Sequence, residues 1–205
     1  MKKSIINVNL LSSSICNLNC QYCYVPKVTE LKSAHEQLNN NIKNGSIVNL
    51  LKETYDLSNL SSIAFWGAEP TLNLDNCFIF VSDLCKDYNI NSLTIPTNLT
   101  PDVDKTLFPF VKKLQSLDKE IKINLQVSLD GPSFITDKNR GTGTTNKILQ
   151  NLDKIVRYYN EVDLNKISFK IFGKQTWSSD NLLFLKNNIE IIKYVGLFFT
   201  NLQDE

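Results

Sequence analysis

Apolar runs of strand length alternate with amphipathic helical stretches along the chain, and the segments rich in glycine, proline and reactive side chains follow the strands and precede the helices. That order leaves few ways to fold. It predicts a parallel sheet with right-handed crossovers, either closed toward an α/β barrel or open, with the chemistry gathered at the C-terminal edge of the strands.

Ser4 to Leu11 reads as a first strand, and the polar stretch after it as irregular as far as Asn44. Ser46 reads as the N-cap of a helix carrying Ile47, Leu50, Leu51, Thr54 and Tyr55. Ser62–Trp66 is a short strand running into Gly67-Ala68-Glu69-Pro70. A second helix carries Leu74, Phe78, Val81, Cys85 and Tyr88, with Cys77 and Leu84 at the edge of its stripe. Leu93–Pro96 makes a third strand ending in Thr97-Asn98-Leu99, and Thr100-Pro101-Asp102 then reads as the start of a helix broken at Pro109. Ile121–Leu129 alternates as a strand and ends in Ser128-Leu129-Asp130-Gly131-Pro132, followed by a polar loop to Thr145. Ile148, Leu152, Ile155, Val156 and Tyr159 mark a helix, and Ile167, Phe169 and Ile171 a fifth strand. A helix from Ser179 or Asp180 to Tyr194 and a sixth strand from Leu197 complete the pattern.

Three of the five cysteines, Cys16, Cys20 and Cys23, fall within eight residues directly after the first strand. Three thiolates at C-x3-C-x2-C can hold three irons of a cubane cluster from one loop and leave the fourth iron open, whereas an electron-storage site takes four thiolates. Two other readings stand on spacing alone: a zinc site completed by His35, the only histidine, or three unrelated thiols. Cys77 and Cys85 share the buried side of one helix about 12 Å apart along its axis, so they read as core groups that cannot bridge to each other.

With 22 basic and 21 acidic residues and a net charge of +1, nothing in the composition attracts nucleic acid or an anionic membrane, and neither is expected as a partner. Met1 to Asn7 lacks the apolar core of a signal peptide, and no run approaches a membrane span. An odd number of clustered cysteines suits a reducing cytoplasm. The length of 205 residues fits one domain, 1–205, able to bury a core without metal staples.

Taken together these motifs resemble the radical S-adenosylmethionine superfamily over essentially the whole chain. The cysteine loop matches the cluster loop of that family, and Phe65-Trp66-Gly67-Ala68-Glu69-Pro70 is similar to its Gly-Gly-Glu-Pro motif, with Ala68 in place of the second glycine. Thr97-Asn98, Ser128-Leu129-Asp130-Gly131-Pro132 and Asp137-Lys138-Asn139-Arg140-Gly141 resemble the branch of sulfatase maturases and peptide-modifying SPASM enzymes.

The resemblance implies a partial (β/α)6 TIM-like barrel with parallel strands, a [4Fe-4S] cluster on Cys16, Cys20 and Cys23, and S-adenosyl-L-methionine on its open iron. Tyr22 would line the adenine; Gly67, Ala68 and Glu69 would meet the methionine amino group. Asn98, Ser128 and Asp130 would reach the ribose or carboxylate, and Arg140 would pair with the carboxylate. It further implies a low-potential electron donor of flavodoxin or ferredoxin type, and a peptide or protein substrate from which hydrogen is abstracted. A glycyl-radical activase and a non-catalytic cluster-binding core are the other readings. The branch carries a C-terminal cysteine-rich region that this sequence lacks, so truncation after the sixth strand, with an open barrel, is expected.

Overall fold

The computed structural model describes residues 2–25, 30–176 and 183. In chain order the elements are β1 (Lys3–Ser4), β2 (Asn7–Ser13), α1 (Glu30–Lys43), α2 (Ser46–Thr54), β3 (Tyr55–Asp56), β4 (Ser62–Gly67), a 3-10 turn (Pro70–Asn73) and α3 (Leu74–Cys85). They continue as β5 (Ser92–Thr97), α4 (Leu107–Gln115), β6 (Ile121–Ser128), α5 (Ser133–Arg140), α6 (Thr144–Glu161) and β7 (Ile167–Lys174).

Five strands form one parallel sheet in the order β2-β4-β5-β6-β7. The order never reverses. Right-handed crossovers that always step in the same direction put every connecting helix on one face of the sheet, which is the winding of a barrel and not of a doubly wound sheet. Burial agrees with this. The row Val8, Ile63, Leu93, Ile123 is buried across four neighbouring strands, and its side of the sheet packs against Val48, Cys77, Val81, Phe110, Ile148 and Ile155 from α2, α3, α4 and α6. The alternate row Asn9, Ala64, Thr94, Asn124, Lys170 faces the other way and is partly or fully exposed. This polar surface is the inner wall of the partial barrel.

The sheet also curls. Trp66 at the end of β4 and Lys174 at the end of β7 are three strands apart, about 14 Å in a flat sheet, yet the Lys174 Nζ lies 5.0 Å from the centre of the Trp66 indole. A parallel α/β sheet of this kind agrees with the partial-barrel expectation. The sixth strand, and the helix before it apart from Leu183, fall outside the described residues.

Several local expectations are corrected. The first strand is two pieces, because Lys3–Ser4 pairs with Tyr55–Asp56 while Asn7–Ser13 enters the main sheet. The stretch read as irregular up to Asn44 contains α1, whose apolar stripe is narrow: Leu31, His35 and Leu38 are half-buried and only Ile42 is fully buried. Gly45, not Ser46, is the N-cap of α2, with φ 75. The helix expected from Thr100 begins at Leu107 and is unbroken. Pro109 sits in its first turn, where its missing N–H has no partner to lose. The loop expected before Thr145 contains α5. Among the described residues no helix is long and apolar enough to cross a membrane.

Cys77 is fully inside and Cys85 nearly so, on the face of α3 that meets the sheet. Burial pushes the Cys77 thiol up to about 12, so it stays protonated and packs as a small apolar group. Cys77→Ala is expected to lower unfolding stability by about 1 kcal/mol while leaving the iron content of reconstituted protein unchanged. Denaturant titration and iron analysis check both, and lost iron would place Cys77 among the ligands.

Candidate functional site

The loops after β2, β4, β5 and β6 and the end of β7 meet at the C-terminal edge of the sheet around a cavity of about 300 Å³, the lower end of the usual range for small-molecule sites. Cys16, Cys20, Cys23 and Tyr22 enter it from the first loop; Trp66 and Gly67 from the end of β4 with Ala68 and Glu69 from the second loop beyond it; Thr97 from the end of β5 with Asn98 from the third loop. Ser128 and Arg140 reach it from the β6 side, and Lys174 and Thr176 from β7. Every site residue expected from the sequence lines this cavity except Asp130, which lies beneath it.

Backbone hydrogen bonds fasten the second loop to the first. Ala68 N–H donates to Ser13 O at 2.8 Å and Glu69 N–H donates to Ile15 O at 3.0 Å. The contact is close enough to fix one residue type. Gly67 has φ 127, and a Cβ there would stand 2.0 Å from Ser13 O, so only glycine fits. Ala68 carries no positive φ, which explains why a methyl group is tolerated where the family pattern has a second glycine.

The Glu69 side chain joins the second loop to the third. Strands β4 and β5 pair only from Ser62↔Ser92 to Ala64↔Thr94, so their ends splay toward the cavity. Across this gap one carboxylate oxygen accepts from Thr71 N (3.1 Å), Thr71 Oγ1 (2.6 Å) and Thr97 Oγ1 (2.8 Å), while the other accepts from Asn98 N (2.7 Å). Glu69 is 1% exposed, and burial raises its carboxyl while these donors act to lower it. No cation pairs with it among the described residues. A buried carboxylate on a cavity wall, with neutral donors alone, suits a ligand carrying an ammonium group.

Asp130 anchors the fourth loop. It is 0% exposed and takes a two-pronged pair from Arg140, Nε to Oδ2 at 3.0 Å and Nη2 to Oδ1 at 2.9 Å. Tyr22 Oη donates to the same carboxylate at 2.6 Å, and Thr176 N at 3.2 Å. Burial and this bond to Asp130 raise the Tyr22 phenol, which stays a donor. Gln21 N–H donates to Asn139 O at 2.8 Å, so the cysteine loop is tied to α5 by backbone as well. Both prongs of the Arg140 fork are thus spent on Asp130, and its guanidinium also lies 5.5 Å from the Tyr22 ring centre.

Cys16 and Cys23 are exposed and Cys20 is half-buried. The cavity wall nonetheless crowds Cys16 and Cys20, and desolvation raises both thiols; Arg140 opposes this at Cys20. Among the described residues no three His, Cys, Asp or Glu groups converge on one point as a single metal ion requires. A cubane spreads its thiolate ligands over separate irons and makes no such demand. His35 faces the loop from α1, its Nδ1 accepting from Ser14 N at 3.5 Å, and so props the loop at its base. The donor set fits an iron–sulfur cluster better than a Cys3His zinc site.

Sequence reasoning missed Lys174, Trp66 and Thr97 as cavity residues. Lys174 and Thr97 carried a usable signal, being polar groups at the C-terminal ends of strands.

The Asp130–Arg140 pair generates a prediction. Removing one partner of a buried ion pair leaves the other unpaired, so Asp130→Ala is expected to cost about 3–5 kcal/mol. In the double variant with Arg140→Ala the cost falls short of the sum of the singles by about 1–3 kcal/mol. Denaturant titration of the four proteins reads this coupling; additive costs would mean that the pair holds nothing.

Comparison with known proteins supports the same reading. The chain is 26% identical to an uncharacterized protein of Methanocaldococcus jannaschii in an alignment 240 positions long that covers 99% of this chain and 75% of that protein. It is 32% identical to the 7-carboxy-7-deazaguanine synthase of Archaeoglobus fulgidus over 84 residues, 40% of this chain and 35% of that protein. A third match, to the surface-layer 125 kDa protein of Lysinibacillus sphaericus, is 32% identical and spans 47% of this chain but only 8% of that protein. None of these matches supports the sulfatase-maturase and SPASM branch. Residues 10–180 match the family model of the radical SAM superfamily, which covers the sheet from the middle of β2 onward, the cysteine loop and every cavity-lining loop, and the chain therefore belongs to the radical SAM superfamily.

Proposed function

We propose that this chain is the catalytic core of a radical S-adenosylmethionine enzyme that abstracts a hydrogen atom from a peptide or protein side chain. The observation that carries the first part is the meeting of the three-cysteine loop with Gly67-Ala68-Glu69 at one cavity. Cys16, Cys20 and Cys23 would hold the cluster, and the Glu69 carboxylate with the backbone of Gly67 and Ala68 would receive the ammonium of the cofactor. Ser128 would meet the polar end of the nucleoside, and Tyr22 would lie along its base. When bound, cluster and S-adenosylmethionine supply a one-electron reductive cleavage to methionine and a 5'-deoxyadenosyl radical, the species that takes the hydrogen atom. The electron would come from a low-potential donor of flavodoxin or ferredoxin type.

The pairing of Arg140 with Asp130 supports a positioning role for it. Asp130 holds the guanidinium fork, so Arg140 acts mainly by fixing Asp130 and, through it, the Tyr22 ring against the cysteine loop. Lys174, which forms no ion pair among the described residues, is the cation left at the cavity for a carboxylate. A peptide as substrate is supported by the resemblance of the Asp130-Gly131-Pro132 loop and by apolar surface at the mouth. Tyr24 is 92% exposed and Trp66 46% exposed there, a surface on which an extended chain could lie.

Anaerobic reconstitution is expected to load about four irons per chain, with 5'-deoxyadenosine formed once dithionite and S-adenosylmethionine are added. Both are lost on replacing any one of Cys16, Cys20 or Cys23 with alanine. Iron analysis and product chromatography check this. A loaded cluster with no deoxyadenosine would favour the non-catalytic reading; tight zinc with no iron would overturn the assignment.

A further inference from the structure

Asn98 lines the cavity, yet every hydrogen-bonding position of its side chain is already taken inside the protein. Its Oδ1 accepts from Thr100 N at 2.9 Å and from Thr100 Oγ1 at 2.6 Å. The Thr100 N–H can face only an acceptor, which fixes the orientation of the amide. Its Nδ2 donates to Asn17 Oδ1 at 3.0 Å and to Cys16 Sγ at 3.6 Å. Asn17 Nδ2 in turn donates to Thr100 Oγ1 at 2.7 Å, closing a ring of side chains through Asn98, Asn17 and Thr100. The backbone supports the ring. Asn98 N–H is held by Glu69, and Leu99 is locked at φ 51 by Thr97 Oγ1 and by Asn151, whose amide donates to Leu99 O at 2.9 Å. A left-handed leucine costs about 1–3 kcal/mol, so the loop is held in this shape by those bonds.

We propose that Asn98 is an N–H donor to the Cys16 thiolate that sets the reduction potential of the bound cluster, and not a contact to the nucleoside. Leu18 N–H reaches the same sulfur at 3.4 Å, so Cys16 receives two donors. Reduction adds negative charge to the cluster and its sulfurs, and a hydrogen bond to sulfur stabilises that added charge, raising the potential. Asn98 is therefore a positioning residue. Asn17, one residue beyond Cys16, shares the ring but gives nothing to sulfur, which makes it the natural control. The proposal rests on the cluster assignment above.

The experiment is a redox titration of anaerobically reconstituted wild-type, Asn98→Ser and Asn17→Ala proteins without S-adenosylmethionine, together with melting temperatures and calorimetric S-adenosylmethionine affinity. A serine hydroxyl keeps the bond from Thr100 N but falls short of the sulfur. Asn98→Ser is expected to keep its iron and reduce with an equilibrium constant about tenfold lower, about 59 mV more negative for one electron, with S-adenosylmethionine affinity within about threefold of wild type. Asn17→Ala is expected to melt lower at an unchanged potential. An unchanged potential in Asn98→Ser, an equal shift in Asn17→Ala, loss of iron from Asn98→Ser or a large loss of affinity would each overturn the proposal. A wild-type protein that takes up no cluster would instead fail the functional assignment.

Discussion

The Glu69 carboxylate holds this site together. It is buried at the point where β4 and β5 splay apart, and its bonds to Thr71, Thr97 and the backbone of Asn98 take over from the ladder that ends at Ala64 and Thr94. Two loops are thereby fixed by one side chain. Because Ala68 and Glu69 also donate backbone bonds to Ser13 and Ile15, the same motif sets where the cysteine loop leaves β2. A buried carboxylate is costly unless its oxygens are satisfied. Neutral donors satisfy it here, burial still raises its carboxyl, and a cationic group in the cavity would stabilise its charged form.

The winding of the sheet explains why such a cavity exists. Helices cover one face only, so the other is free to be polar, with Asn9, Thr94, Asn124 and Lys170 in place of the branched aliphatic layers that fill a closed barrel. Curl then brings the end of β7 to the end of β4, and Lys174 meets Trp66 across the mouth. On the fourth loop the Asp130–Arg140 pair does for Tyr22 what Glu69 does for Asn98: a buried charged group in one loop holds a cavity residue in another.

The strand and helix alternation was legible in the sequence because it is local: period-two apolar runs such as Ile121–Val127 need no partner to be recognised. The cysteine loop and the Gly67-Ala68-Glu69 turn were legible for the same reason, each being a short run of defined chemistry. What the sequence hid depends on distant partners. The buried face of α5 consists of Ile135, Thr136, Asn139 and Arg140; Thr136 donates to Gly131 O, and Asn139 and Arg140 lie inside where Asp130 and the cysteine loop receive them. α1 was hidden by asparagines and a stripe one residue wide. No spacing rule pairs Arg140 with Asp130 in preference to a ligand, and none places Lys174 beside Trp66, since that requires the curl of the whole sheet.

The central proposal is that Cys16, Cys20 and Cys23 would hold a [4Fe-4S] cluster at the cavity that Glu69 lines. Electron paramagnetic resonance of the reduced, reconstituted protein, recorded with and without S-adenosylmethionine, tests it directly. The account predicts a [4Fe-4S] signal that changes when S-adenosylmethionine is added, as it would if the cofactor bound the cluster directly, and that change should be lost in Glu69→Ala. A cluster signal that saturating S-adenosylmethionine leaves unaltered would contradict it.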